Sequence, residues 1–580
     1  MTTYVRFVLA ALLAVPAVAG AVSPRAVAES LAGTVKDTSG HPLEGVLVIA
    51  QRDGGTVLVS VASDASGRYA FPRERLAAGR YHLSVRAAGY SLTGPRPGAS
   101  AVVPATRSVT RNLVLAPVTS PDVLASQLTS LEWMLSFPGT DAEKSVVVRN
   151  MVNCAFCHSL ERIARSTHDA DAFVDVIRRM STYETDHSSA ERVQLVGPMP
   201  PAAGLAWWGR DARLIAEYFA RVNLRGRKTW DYSLKTLPRP TGEATRAVVT
   251  VFPIPRAASV IHDLDVDAKG RVWYGNTGWD YLGMLDPKTG EFREWPAPNR
   301  LPAGPDGSRI LGVQDIQVDG DGLVWAAIGG NALAAFDPTS ERWHEYPLPV
   351  IWKNPFLGPM RPGERGLWVT GLTRAPDGEV RHEHAFRFDL DAKTLGAPVM
   401  LFDDKPSPVD PDHSQHLNYC YMMDQDAQGN FLCTVPEASA VARLDPATGK
   451  VRLVPTPTPH AYPRRGYRDG QNRFWFGEFW ADRIGVIDLA TDRITEYPVD
   501  SKWISPYYAR PDGKGRIWVS STGSDRLLRL DPATGQVVQY LMPVPYDARK
   551  VVVDRSADRT TVWLPNKNRA ELVRIELPRD

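Results

Sequence analysis

Cysteine is scarce in this chain, with four residues among 580. That is too few for a disulfide framework, and two of the four fall in one short motif. Charge of one sign is lacking as well. The 67 Lys and Arg face 65 Asp and Glu, a net charge of +2. Nothing in that balance marks a nucleic-acid or membrane-surface partner. Beyond the first residues no apolar run approaches the ~20 that a membrane span needs, so no span is expected in the mature chain. Gly (45), Pro (47) and Trp (16) are plentiful instead, which suits many short strands joined by turns. The length accommodates about three to four domains.

Residues 1–28 read as a secretory signal peptide. Arg6 precedes an apolar run from Phe7 to Val18, and small residues follow, with A-x-A sites at Ala19–Ala21 and Ala26–Ala28. The run is short and wrongly flanked for a stable anchor, although an uncleaved anchor is the plainer alternative. The expectation is a periplasmic or secreted protein.

Asn153-Cys154-Ala155-Phe156-Cys157-His158 contains C-x-x-C-H, the attachment sequence for one c-type haem. Cys154 and Cys157 would add to two vinyl groups on one ring edge. His158, following at once, would bind the iron from the proximal side. A zinc half-site and a plain redox dithiol remain open alternatives. Export favours the haem, because bacterial haem attachment of this kind occurs outside the cytoplasm. Around the motif, from Thr119 to about Leu237, apolar residues recur at helical spacing. The spacing predicts helices over 142–153, 159–164, 170–180 and 210–222. This order resembles class I cytochrome c, most closely at the two ends of the region. The resemblance implies a methionine ligand in a loop before the last helix, and Met199 in Val196-Gly197-Pro198-Met199-Pro200-Pro201 stands there. His168, His187, another methionine or a vacant sixth position are the alternatives.

Before this region, Leu31 to Pro117 reads as all-β, with turn clusters at 37–40, 53–55, 64–67 and 78–79. Its wording (Gly33-Thr34-Val35-Lys36-Asp37, Pro42-Leu43-Glu44-Gly45-Val46, then Asp64, Gly67, Tyr69 and Phe71) resembles the carboxypeptidase regulatory-like domain, a small β-sandwich. The resemblance implies no chemistry, and a spacer or docking role is expected.

From about Thr241 the chain repeats itself. Trp273, Trp325, Trp368, Leu432, Trp475, Trp518 and Trp563 mark equivalent places, at steps of about 43 to 64 residues. A turn with Gly270, Gly322, Gly429 or Gly515 precedes the marker, and Asp-Pro turns follow. Turn, strand, turn, strand at this period predicts a seven-bladed β-propeller. The strand 247–251, with no blade of its own, should complete blade seven and close the ring. Insertions at about 352–362 and 403–417 should lie over one face. Phrases such as Phe474-Trp475-Phe476-Gly477-Glu478 and Arg483-Ile484-Gly485-Val486-Ile487 resemble the streptogramin B lyase (virginiamycin B lyase) family. The fold class expected is therefore mainly β and multidomain: β-sandwich (29–117), helical cytochrome c-like domain (118–240), seven-bladed propeller (241–580).

Eleven residues before the markers stand His262, Gln314, Tyr421, Arg464 and Tyr507, expected beside the central channel. Three residues after stand Asn276, Glu478, Ser521 and Asn566. A substrate or metal site would use Arg464 to hold an anion, with His262 and Glu478 handling protons. A merely polar, water-filled channel is the other reading. The lyase resemblance implies histidine and glutamate with a divalent metal such as magnesium. Arg464 stands where that family tends to carry histidine, a departure from its elimination chemistry. The D-x-D phrases at 265–267, 319–321 and 424–426 read as turns, since they lack the frame of a calcium loop. Cys420 and Cys433 flank one of them, as a disulfide or two buried thiols. Taken together the residues point to electron transfer or a haem-dependent oxidoreductase, acting on a redox partner protein or a small-molecule substrate. A propeller lyase and a non-catalytic platform are the alternatives.

Overall fold

The structure is a computed structural model that describes residues 28–94, 99–150, 154–155, 158–180, 211–298, 312–328, 332–349, 356–361, 363–374, 380–402, 419–445, 448–554 and 559–578. Cys157, Met199 and His187 lie outside the described residues, as do the insertion residues 350–355 and 403–418.

Residues 29–117 form two sheets packed on one core. Strand Glu29–Asp37 pairs with Arg68–Pro72 on one side and Leu113–Pro117 on the other. Leu47–Arg52 lies between Leu58–Ala62 and Gly79–Arg86. The inward positions Leu31, Val35, Val48, Ala50, Tyr69, Phe71 and Leu83 fill the space between them. This burial is what the alternating pattern demands.

Helices follow. Two of them, Pro121–Ala125 and Ser130–Ser136, lie outside the expected spans, because five and seven residues are too short for a helical period to show. Their start signal is nonetheless in the sequence. Thr129 and Glu132 form a capping box, as do Thr140 and Glu143 at the head of Asp141–Arg149. Glu161–Ala164, Ala170–Met180 and Asp211–Val222 lie close to the expected spans. Trp133, Phe137, Val147, Phe173, Ile215 and Phe219 share one apolar core. The last helix packs on both Asp141–Arg149 and Ala170–Met180.

The remainder is a propeller-like β-structure. Successive antiparallel meanders occupy 261–296, 314–347, 356–402, 422–455, 463–498, 506–541 and 552–576. Each inner strand lies against the preceding meander, and the first lies against the last, so the ring closes. Strand Val248–Pro253 pairs along its length with Glu571–Glu576, completing blade seven as expected. Its other edge pairs with Leu58–Ala62 of the sandwich. One eight-stranded sheet therefore runs from the propeller into the N-terminal domain. This covers an edge that would otherwise be open.

The repeat has a local cause. Asp267, Asp319, Asp469 and Asp512 each accept a hydrogen bond from the indole of the Trp six residues on, at 2.7–3.0 Å. The same carboxylates accept backbone N–H groups of their own turns. The D-x-D phrases are thus turn chemistry. Gly275 and Gly477 stand where the next blade comes closest: a Cβ would meet the Val313 and Pro506 carbonyl oxygens at 2.2 and 2.6 Å.

Candidate functional site

Two places gather chemistry. The first is the C-x-x-C-H segment. Cys154 follows the helix Asp141–Arg149, with its N–H bonded to the Asn150 carbonyl, and packs at the edge of the helical core. The His158 ring is partly buried. Its Nδ1 donates to the Ser159 carbonyl at 2.9 Å, which leaves the Nε2 lone pair unspent. Burial pushes its pKa below the usual histidine value, so the ring is neutral at neutral pH. Ala155, His158 and Ser159 line a cavity of about 800 Å³. The sandwich (Arg86) and the propeller (Ser259, Arg526) wall the same space. His168 packs edge-on against Phe173.

The second is the propeller centre. Each of four inner strands carries a bulge where the channel residues stand: between Ile261 and Leu264, Gln314 and Gln317, Pro463 and Gly466, Pro506 and Ala509. In a regular strand His262 and Asp263 would point to opposite faces. The bulge re-aims the second residue, so Asp263, Asp315, Arg465 and Tyr508 join the centre. Sequence reasoning missed these four. Their signal was the neighbouring position in the repeat, one residue after the one chosen.

Arg465 spans the channel from blade five. Its guanidinium donates to Asp263 Oδ1 at 2.6 Å, to Asp315 Oδ1 at 2.5 Å and to the Arg549 carbonyl at 3.2 Å. Lys550 Nζ lies 3.6 Å from Asp263 Oδ2 and donates to the Ile316 carbonyl at 2.5 Å. His262 Nδ1 sits 2.7 Å from Asp263 Oδ1. Burial pushes His262 down to about 4, so it is neutral. Burial drives Asp315 up to about 7 despite Arg465. Asp263, although buried, is held well below the usual carboxylate range by Arg465 and Lys550. Ligand atoms of His262, Asp263 and Asp315 lie within 4.8 Å of one another, the spacing of a metal site. The guanidinium already bridges both carboxylates, however. A magnesium ion would have to displace it, so the set fits an internal cation better than the expected metal.

Arg464 has the opposite surroundings. Its guanidinium carbon lies 4.5 Å from the Tyr421 ring centre, 4.6 Å from Tyr462, 5.1 Å from Phe479 and 5.7 Å from Tyr507. The Tyr421 and Tyr507 hydroxyls bond each other. Three positions expected at the channel (421, 464 and 507) therefore do meet. Glu478 does not join them. Its carboxyl lies against Gly485, on the sheet face of blade five. Both oxygens are buried and neither accepts from an N–H or hydroxyl donor. Burial and the nearby Glu496 carboxylate push its pKa up to about 9, so it is protonated at neutral pH. Asn276, Ser521 and Asn566 are spent on contacts within their own blades. They tie the loops there: Asn276 to Ser259 and Val260, Ser521 to Ser524, Asn566 to Pro545 and Asp547. An acid–base pair of His262 and Glu478 beside Arg464 is thus not assembled among the described residues. Cys420 and Cys433 are joined as a disulfide, Cα–Cα 5.5 Å.

Residues 30–115 match the carboxypeptidase regulatory-like domain. No curated protein matches the chain. Among solved structures the chain is similar to a streptogramin B lyase (17% identity, 58% of this chain and 100% of that one, TM-score 0.45). It is also similar to virginiamycin B lyase from Staphylococcus aureus (17%, 57% and 100%, TM-score 0.43). A similar likeness extends to U3-55K (10%, 56% and 98%, TM-score 0.42).

Proposed function

We propose that this chain is an exported monohaem c-type cytochrome acting in electron transfer or as an oxidoreductase, with the propeller as the module that binds a substrate or partner. The observation that carries the reading is His158. It follows the two cysteines at once, is neutral, and spends Nδ1 on a backbone carbonyl. That bond orients the ring and frees Nε2, the arrangement found for histidines that bind metals. The adjoining cavity of about 800 Å³ is within the range of cofactor sites. Bound haem supplies a one-electron couple. Cys154 and Cys157 would hold it covalently and His158 would ligate the iron, with Met199 proposed opposite. The propeller wall of the cavity supports direct communication between the two modules, and the Cys420–Cys433 disulfide suits an oxidising compartment.

The test is a reduced-minus-oxidised spectrum of protein recovered after export. Sharp haem bands are expected, with colour that survives organic extraction and is lost in Cys154→Ser/Cys157→Ser. Colourless protein with both thiols open to alkylation would overturn the assignment.

A further inference from the structure

Arg464 and Arg465 are consecutive, both buried, and treated in opposite ways. Arg465 holds two carboxylates. Arg464, only 8% exposed, bonds to no carboxylate and to no other hydrogen-bond acceptor among the described residues, and its Nε is buried without a partner. A buried cation without a counter-charge is costly to the fold. Four aromatic faces hold it in place without neutralising it. The nearest other guanidinium on this wall, Arg549, sits 4.8 Å from the Tyr507 ring centre and is paired with Asp547 at 2.8 Å. Among the described residues Arg464 therefore has no direct ion pair; the carboxylate that shares its aromatic box, Glu437, accepts the Tyr462 hydroxyl instead.

We propose that Arg464 is the recognition point for a small organic carboxylate bound at this aromatic box. The planar guanidinium presents parallel N–H groups that match a carboxylate in two bonds. A single fork, with no second unpaired cation beside it among the described residues, suits one carboxylate rather than a phosphate dianion. The walls suit an apolar body: Tyr462 stacks on Trp480 at 3.7 Å between centres, and Tyr462 donates to Glu437 at 2.8 Å, so its hydroxyl points away to its own acceptor. Arg149, at the end of the helix leading to the C-x-x-C-H segment, lies 5.5 Å over the Trp480 ring. The site therefore abuts the helical region. The inference rests on the propeller being the binding module and names the class of ligand it takes.

The experiment titrates the full chain with benzoate, using benzamide and inorganic phosphate as controls, by calorimetry and by the fluorescence of the tryptophans. Saturable benzoate binding is expected, with benzamide and phosphate at least about tenfold weaker. Arg464→Gln should lose at least about tenfold in benzoate affinity and Arg464→Lys should keep part of it. Benzoate should also raise the thermal midpoint of the wild type, a reading that needs no variant to fold. No saturation with benzoate, equal binding of benzamide, preference for phosphate, or unchanged affinity in folded Arg464→Gln would each overturn the proposal. A reduced-minus-oxidised spectrum of the same wild-type sample separates the two ideas. Benzoate binding by a protein that never carried colour sinks the cytochrome and spares this site. A coloured protein indifferent to benzoate does the reverse.

Discussion

Glu478→Gln should stabilise this protein, by an amount that depends on pH. The Glu478 carboxyl is fully buried, meets no N–H or hydroxyl donor and is raised to about 9 by burial and by Glu496, to which its proton can be donated. In the unfolded chain the same group releases its proton near 4.5. Between those values the folded state carries a proton that the unfolded state has lost, so stability falls as pH rises from about 4.5 toward 9. At pH 7 holding that proton costs the fold about 3 kcal/mol. Glutamine has nearly the same shape and needs no proton. The variant should therefore gain up to about 3 kcal/mol at pH 7, and less than about 1 kcal/mol at pH 5. Urea unfolding followed by tryptophan fluorescence at the two pH values reads the difference directly, since the blade tryptophans report on the propeller. A gain that is equal at both pH values would refute the titration argument. A loss at pH 7 would show that Glu478 is ionised and paired in solution.

Arg465→Met strands Asp263 and Asp315 in the channel, and should cost about 3–5 kcal/mol. Adding Asp263→Asn and Asp315→Asn should restore much of that in thermal unfolding, whereas a cost unaffected by the added changes would mean the loss is one of packing. Thr250→Pro places a proline in a strand that is paired on both edges, with Val59 and Arg574 opposite Thr250. It should cost about 3 kcal/mol or more and expose the joint between sandwich and propeller to limited proteolysis. An unchanged digestion pattern would show that the shared sheet does not hold the domains together.

Much of the architecture was legible because its causes lie within a few residues of one another. An Asp that caps a turn and binds the indole six residues on recurs along the chain, so the period announced the meanders. An orphan strand at 247–251 announced the closure, because a ring without it would leave an edge unpaired. The helix starts at Thr129 and Thr140 are also written in plain capping boxes, a local signal that apolar period by itself does not carry.

The channel was legible only in part. Counting back from each tryptophan reaches His262, Arg464 and Tyr507, but regular strand alternation would send their successors to the opposite face. A bulge is a property of two strands in register, which one strand's residues do not reveal. For the same reason Glu478 looked like a channel acid and proved to be a protonated group on a sheet face. What the chain alone determined was therefore its local grammar: turns, caps, strand period and the C-x-x-C-H spacing. Tertiary structure decided which distant charges meet, pairing Arg465 with Asp263 and Asp315 while leaving Arg464 among rings, and joining the sandwich edge to the seventh blade. Such contacts form across blades whose separation in sequence carries no trace of their separation in space.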